Sequence, residues 1–113
     1  LPDCDIIMVR DCLFHLSYID INSFLINLSK TSYRYLLTTT HIVNHNFKNS
    51  NIITGDYRNI DLFSEPFDFD PKHVRDRVDD FPSGYSIKKE MILIEKKFVP
   101  THLPKLAAST NIN

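Results

Sequence analysis

Arg10, Asp11 and His15 follow directly on the apolar run Ile6-Ile7-Met8-Val9, and of this chain's residues they are the best placed to do chemistry. A continuous apolar run of strand length suits a strand buried on both faces, as in a parallel sheet covered by helices. An Arg-Asp pair at the C-terminal end of such a strand lies where open α/β sheets bind their ligands. Thr39, Thr40 and His41 end a second strand-like run and are placed to line a pocket. Phe47, Tyr57 and Arg58 lie in or after a long irregular stretch, where an aromatic wall with a guanidinium suits a planar or anionic ligand. Each group has a plainer alternative. Asp11 caps the turn after its strand, His15 packs under the helix that follows, and Tyr57 is a packing residue. His41-x-x-x-His45 has helix-type metal spacing, but no helix is predicted there and no carboxylate or thiolate motif accompanies it, so no metal site is expected.

The elements that must position these residues read as strand, helix, strand. Ser17 with Asp20 forms a capping-box-like start, and Ile21, Phe24, Leu25 and Leu28 repeat at helical spacing, which predicts a helix from Tyr18 to Ser29. Tyr33 to Thr40 is rich in aromatic and β-branched residues and predicts a strand. From His41 to Arg58, Asn44, Asn46, Asn49, Ser50, Asn51 and Gly55 break any periodicity; a loop of that length in a compact domain signals function or disorder. Asn59 to Phe63 is expected as a short strand. Asp70-Pro71 reads as a helix entry, with Val74, Val78 and Phe81 continuing until Pro82 stops the helix and Ser83-Gly84 turns the chain. Lys89 to Lys97 is the clearest late strand, its paired lysines at each end guarding an apolar centre against aggregation.

Composition sets outer limits. With 113 residues the chain is one domain at most, with room for a modest core. A formal charge of −1 and 24% charged residues give no basic footprint for nucleic acid. No apolar segment approaches the ~20 residues that span a bilayer, and there is no basic-then-apolar leader. Cys4 and Cys12 are too far apart along an extended segment for a local disulfide; free thiols in a reducing, cytoplasmic setting are expected. The chain opens almost at once on a buried-type strand, which favours a piece of a longer protein.

The order of these pieces resembles the C-terminal half of a class I S-adenosylmethionine-dependent methyltransferase, closest to a group of small bacterial-type members. The stretch Asp5 to Leu16, the strand Tyr35 to Thr40, the string Gly55-Asp56-Tyr57-Arg58-Asn59-Ile60-Asp61-Leu62 and Pro66-Phe67-Asp68-Phe69 carry the resemblance. With Met91 to Glu95 they cover roughly residues 3–97. The resemblance implies an α/β fold with a partial Rossmann-like sheet. Asp5 to Arg10 would be strand 4, Thr38 to His41 the end of strand 5, and Met91 to Glu95 strand 7, antiparallel between strands 5 and 6. Residues 1–99 would form this half-domain and 100–113 a polar, flexible tail. The implied activity is methyl transfer from S-adenosylmethionine to an unidentified small acceptor, in which the protein aligns the nucleophile, excludes water and adds a general base. By the same resemblance Asp11 and His15 are the catalytic candidates, Arg10 and Asp11 face the cofactor, and Thr40, His41, Tyr57 and Arg58 face the acceptor. The Gly-rich loop and the acidic ribose-binding residue of the family are absent, Gly55 and Gly84 being the only glycines. The chain alone is therefore expected to be inactive. Its partner would be the missing N-terminal half or a second copy pairing along the first strand. The alternative is a non-catalytic remnant or interaction module that self-associates through that strand. Neither membrane nor nucleic acid is an expected partner.

Overall fold

Ser17 starts an α-helix as its sequence requires. Its hydroxyl accepts from the Asp20 N–H, and α1 runs Tyr18–Ser29. The reciprocal half of the cap is routed through a third residue. Ser17 N–H donates to the Thr54 hydroxyl, which in turn donates to the Asp20 carboxylate. Ile21, Leu25 and Leu28, on one stripe of α1, are buried against the sheet.

The computed structural model describes residues 5–80 and 87–104. They form a small α/β fold with a mixed four-stranded sheet in the order β1-β2-β4-β3. β1 (Ile6–Val9) pairs parallel with β2 (Tyr35–His41) through the α1 crossover; β4 (Lys89–Glu95) lies antiparallel between β2 and β3 (Val74–Asp79). In register, Ile7, Leu36 and Ile94 align on one face, and Val9, Thr38 and Ile92 follow. That face meets α1 together with Ile60, Leu62, Phe67 and Phe69 to make the core.

The opposite face is covered only toward the C-terminal end of β2, where Thr39, His41, Met91 and Lys89 are buried. Ile6 and Met8 are 51% and 61% exposed, while Ile7 and Val9 are half-buried against the core, so the expectation of a strand buried on both faces is corrected to one half-buried face. By register Met8, Leu37 and Leu93 share that open face. Among the described residues β1 is also a sheet edge, and its four residues carry no proline or charge to guard it.

Two further expectations change. Asp70 caps Lys72 N–H and Pro71 follows at the first position, but the helix lasts one 3-10 turn, Pro71–His73, before the chain extends as β3. Val74 and Val78 fit helical spacing, yet the charged residues between them pair across to β4: Arg75 with Glu95 and Arg77 with Glu90. Cross-strand pairing overrides the local signal. Asn59 to Phe63 is not a strand either. It is extended enough to bury Ile60 and Leu62 completely, but its N–H groups donate to side chains: Ile60 to His41, Asp61 to Asn49 and Leu62 to Thr40. The expected stop at Pro82, the turn at Ser83-Gly84, the Cys4 thiol and the tail from Ala107 lie outside the described residues. Packing continues past residue 99: Leu103 is buried, and its N–H donates to Asn22 on α1. Among the described residues no helix is long and apolar enough to cross a membrane.

The Thr40 hydroxyl accepts from Leu62 N–H at 3.0 Å and is fully buried. Thr40→Val keeps the shape and strands that donor, so it should destabilise the chain by about 1–3 kcal/mol in urea denaturation, with Thr40→Ser largely restoring it. Indistinguishable midpoints for all three chains would show that the contact carries no stability.

Candidate functional site

The C-terminal ends of β1 and β2 bring together Asp11, His15, His41, Tyr57 and Lys89 around the ring of Phe14. The Phe14 ring centroid lies 4.7 Å from that of His15, 5.1 Å from His41 and 5.3 Å from Tyr57; Lys89 Nζ stands 5.8 Å from it. Phe14 is itself buried in a 3-10 turn, Leu13–His15, so the hub is fixed by the core.

Asp11 takes a left-handed backbone conformation, with φ of 52°, which turns the chain sharply out of β1. Its N–H donates to the Thr39 hydroxyl and its carboxylate receives Lys89 Nζ at 3.0 Å. Its backbone makes the turn, but its side chain does not cap it: the carboxylate is held by Lys89 instead. Arg10 points elsewhere. It forms a two-pronged ion pair with Asp80, at 2.6 and 3.1 Å.

The two histidines are held in opposite tautomers. His15 Nδ1 lies 2.9 Å from the Asp56 carbonyl, which can only accept, so Nδ1 carries the proton and Nε2 presents a lone pair. His15 is exposed, and among the described residues its Nε2 has no hydrogen-bond partner. His41 is the reverse. Ile60 N–H donates to its Nδ1 at 2.9 Å, so the neutral ring bears its proton on Nε2. That Nε2–H reaches Tyr57 Oη at 3.3 Å, and the tyrosine O–H donates to Asn59 Oδ1 at 2.8 Å. Burial pushes His41 below the ordinary imidazole value. The charge of Lys89 acts in the same direction.

Thr40 and Arg58 do not face this cluster. Thr40 is fully buried, with its hydroxyl committed to Ile60 and Leu62. Arg58 is 7% exposed; Nε donates to the Ser50 carbonyl and Nη1 to the Leu13 carbonyl, and the guanidinium lies over Tyr18. Its Nη2 is buried without an acceptor among the described residues, and burial holds its pKa below the usual arginine range. Arg58 is a staple between three segments, which removes the guanidinium from the expected acceptor wall. Tyr57, at 56% exposure, stays in it.

The sequence reading missed Phe14 as the hub, Asn59 as the end of the relay and Lys89 as the partner of Asp11. Lys89 was read as a guard at a strand end; it is only 8% exposed. The apolar pair Leu13-Phe14 between Asp11 and His15 was the available signal, and both residues are buried. No signal marked Asn59 beyond its place two residues after Tyr57.

Among the described residues no group of three or more His, Cys, Asp or Glu side chains is arranged to hold a metal ion. The chain matches no family model, no curated protein and no solved structure.

The direction of the His41 shift has a consequence for stability. Above about pH 6.5, the ordinary value, the imidazole is neutral in both folded and unfolded chains and the folded contact is complete. As pH falls through that value the unfolded ring takes a proton that the folded ring refuses, and stability drops until the lower folded value is passed. His41→Asn keeps an acceptor for Ile60 N–H but does not titrate. Its thermal midpoint should fall less than that of the parent between about pH 8 and 5. Parallel curves for the two chains would remove His41 as the source.

Proposed function

We propose that this chain is the acceptor-facing half of a class I S-adenosylmethionine-dependent methyltransferase domain, inactive alone. What supports the reading most is the sheet order. β1-β2-β4-β3, with β4 antiparallel between β2 and β3, has the arrangement that the resemblance requires of strands 4, 5, 7 and 6. The strand in the sixth place is Val74–Asp79. The candidate residues also gather at the C-terminal edge of the parallel pair, where such sheets take their ligands.

The described residues do not fit the whole cofactor. Gly55 is the one glycine among them, in a loop with open space around it, and no Gly-rich turn follows a strand. Methyl-donor chemistry belongs to the half that is not in this chain, and the residues here orient the acceptor and handle its proton. His15 is better suited to the base role than Asp11. Its Nε2 lone pair is fixed outward by the Asp56 contact, whereas the Asp11 carboxylate is paired with Lys89. A reducing, cytoplasmic setting is part of the reading, since Cys12 is an exposed free thiol.

The reading expects a complementary segment with a strand followed by Gly-x-Gly-x-Gly, either upstream of Leu1 in a longer polypeptide or on a separate chain. Co-expressed with it, this chain should bind S-adenosylhomocysteine at micromolar concentration by calorimetry, and neither piece should do so alone. A well-formed complex that ignores millimolar ligand would sink the proposal.

The open edge of β1 favours a second reading, self-association with another copy along Ile6–Val9. Sedimentation of the purified chain should then show a dimer, and Met8→Lys should shift it to monomer. A monodisperse parent monomer at high micromolar concentration would discard this reading.

A further inference from the structure

We infer that the cluster around Phe14 takes a flat ligand bearing an N–H donor group, an amine or amidine, in preference to a carboxylate or phosphate. The inference deepens the proposed function, resting on the reading that this edge faces the methyl acceptor. It follows from counting which charges and lone pairs are already engaged.

The cations near the edge are committed. Arg58 is buried, giving Nε and Nη1 to the Ser50 and Leu13 carbonyls. Arg10 gives Nε and Nη2 to Asp80. Lys89 is nearly buried and donates to Asp11. An incoming anion would therefore have to compete with existing ion pairs or carbonyl contacts.

The acceptors are left facing outward. His15 Nε2 holds a lone pair, because Nδ1–H is fixed on the Asp56 carbonyl. Tyr57 Oη takes the His41 Nε2–H and gives its own proton to Asn59, so what remains on its oxygen is a lone pair. The His15 and Tyr57 rings are neighbours, with centroids 5.7 Å apart. Asp11 is exposed and is engaged by Lys89 through one carboxylate oxygen, which leaves the other as a further acceptor at the same rim. The exposed Tyr57 ring offers a π-face that attracts a cation. An N–H-bearing group satisfies these acceptors, whereas a carboxylate sets lone pair against lone pair.

Benzamidine and benzoate share a flat frame and differ in the group it carries, a cationic N–H donor in the first and an anionic acceptor in the second. In nuclear magnetic resonance titrations of the intact chain at neutral pH, benzamidine should shift the His15 and Tyr57 ring signals and bind at least about tenfold tighter than benzoate. His15→Phe and Tyr57→Phe keep the packed rings and should each cut benzamidine binding by about tenfold, with amide spectra elsewhere showing an unchanged fold. Equal or tighter binding of benzoate would overturn the inference. So would the lack of any His15 or Tyr57 response to benzamidine at tens of millimolar. Neither titration uses the cofactor, so failure here leaves the methyl-transfer reading to its own experiment, and failure there leaves this preference standing as a binding property.

Discussion

The backbone of Ile60 to Leu62 exchanges hydrogen bonds with the backbone and side chains that end β2, and most of the structure depends on that exchange. His41 N–H donates to the Ile60 carbonyl, Ile60 N–H to His41 Nδ1, and Leu62 N–H to the Thr40 hydroxyl. A segment with neither helix nor strand can then be buried, since its polar groups find partners without a ladder. Its apolar side chains Ile60 and Leu62 fill the core beside Leu36. The same exchange sets the His41 tautomer, which sets the direction of the Tyr57 hydroxyl. Packing, loop path and proton placement are one arrangement here.

Asparagines do similar work across the long connection between β2 and β3. Asn49 accepts from Asp61 N–H and donates to the Asp61 and Glu65 carbonyls. Asn51 accepts from Tyr18 N–H at the first turn of α1. Arg58 adds two more carbonyl contacts from inside. The loop is thus held by side chains standing in for backbone partners. This also closes the N-terminus of α1, whose first donors are taken by Asn51 and Ser17, so no anion site opens there.

These substitutions explain what could be read from the sequence. β1, α1, β2 and β4 were legible because each carries a local signal: an apolar run, a cap with helical spacing, aromatic and β-branched residues, or an apolar centre between charges; the bounds predicted for α1 are those found. The same asparagines that marked a loop could not reveal that they anchor it, because an amide's partner depends on chain distant in sequence. β3 was misread for a related reason. Asp70-Pro71 is a sound helix entry and does make one turn, but Arg75 and Arg77 meet Glu95 and Glu90 only if the chain extends beside β4. At the site, the residue types at Asp11, His15, His41 and Tyr57 were visible. Their roles were not, since a tautomer or an ion pair is decided by a neighbour such as Asp56, Ile60 or Lys89. Thr40 and Arg58 show the converse. Both looked like ligand groups and are consumed by the fold.

The two edges of the sheet are built differently, and the difference bears on the site. β3 carries Arg75, Asp76, Arg77 and Asp79 and a register shift between Val74 and Asp76, features that discourage further pairing. β1 has none of these along Ile6–Val9, and it runs straight into Arg10 and Asp11. Any strand added parallel to β1 would therefore end about 4.8 Å from the strand that delivers Asp11, the spacing of neighbouring strands. Whatever covers the open edge becomes a wall of the candidate site as well. Completing the sheet and completing the site are then the same event, because one short strand borders both.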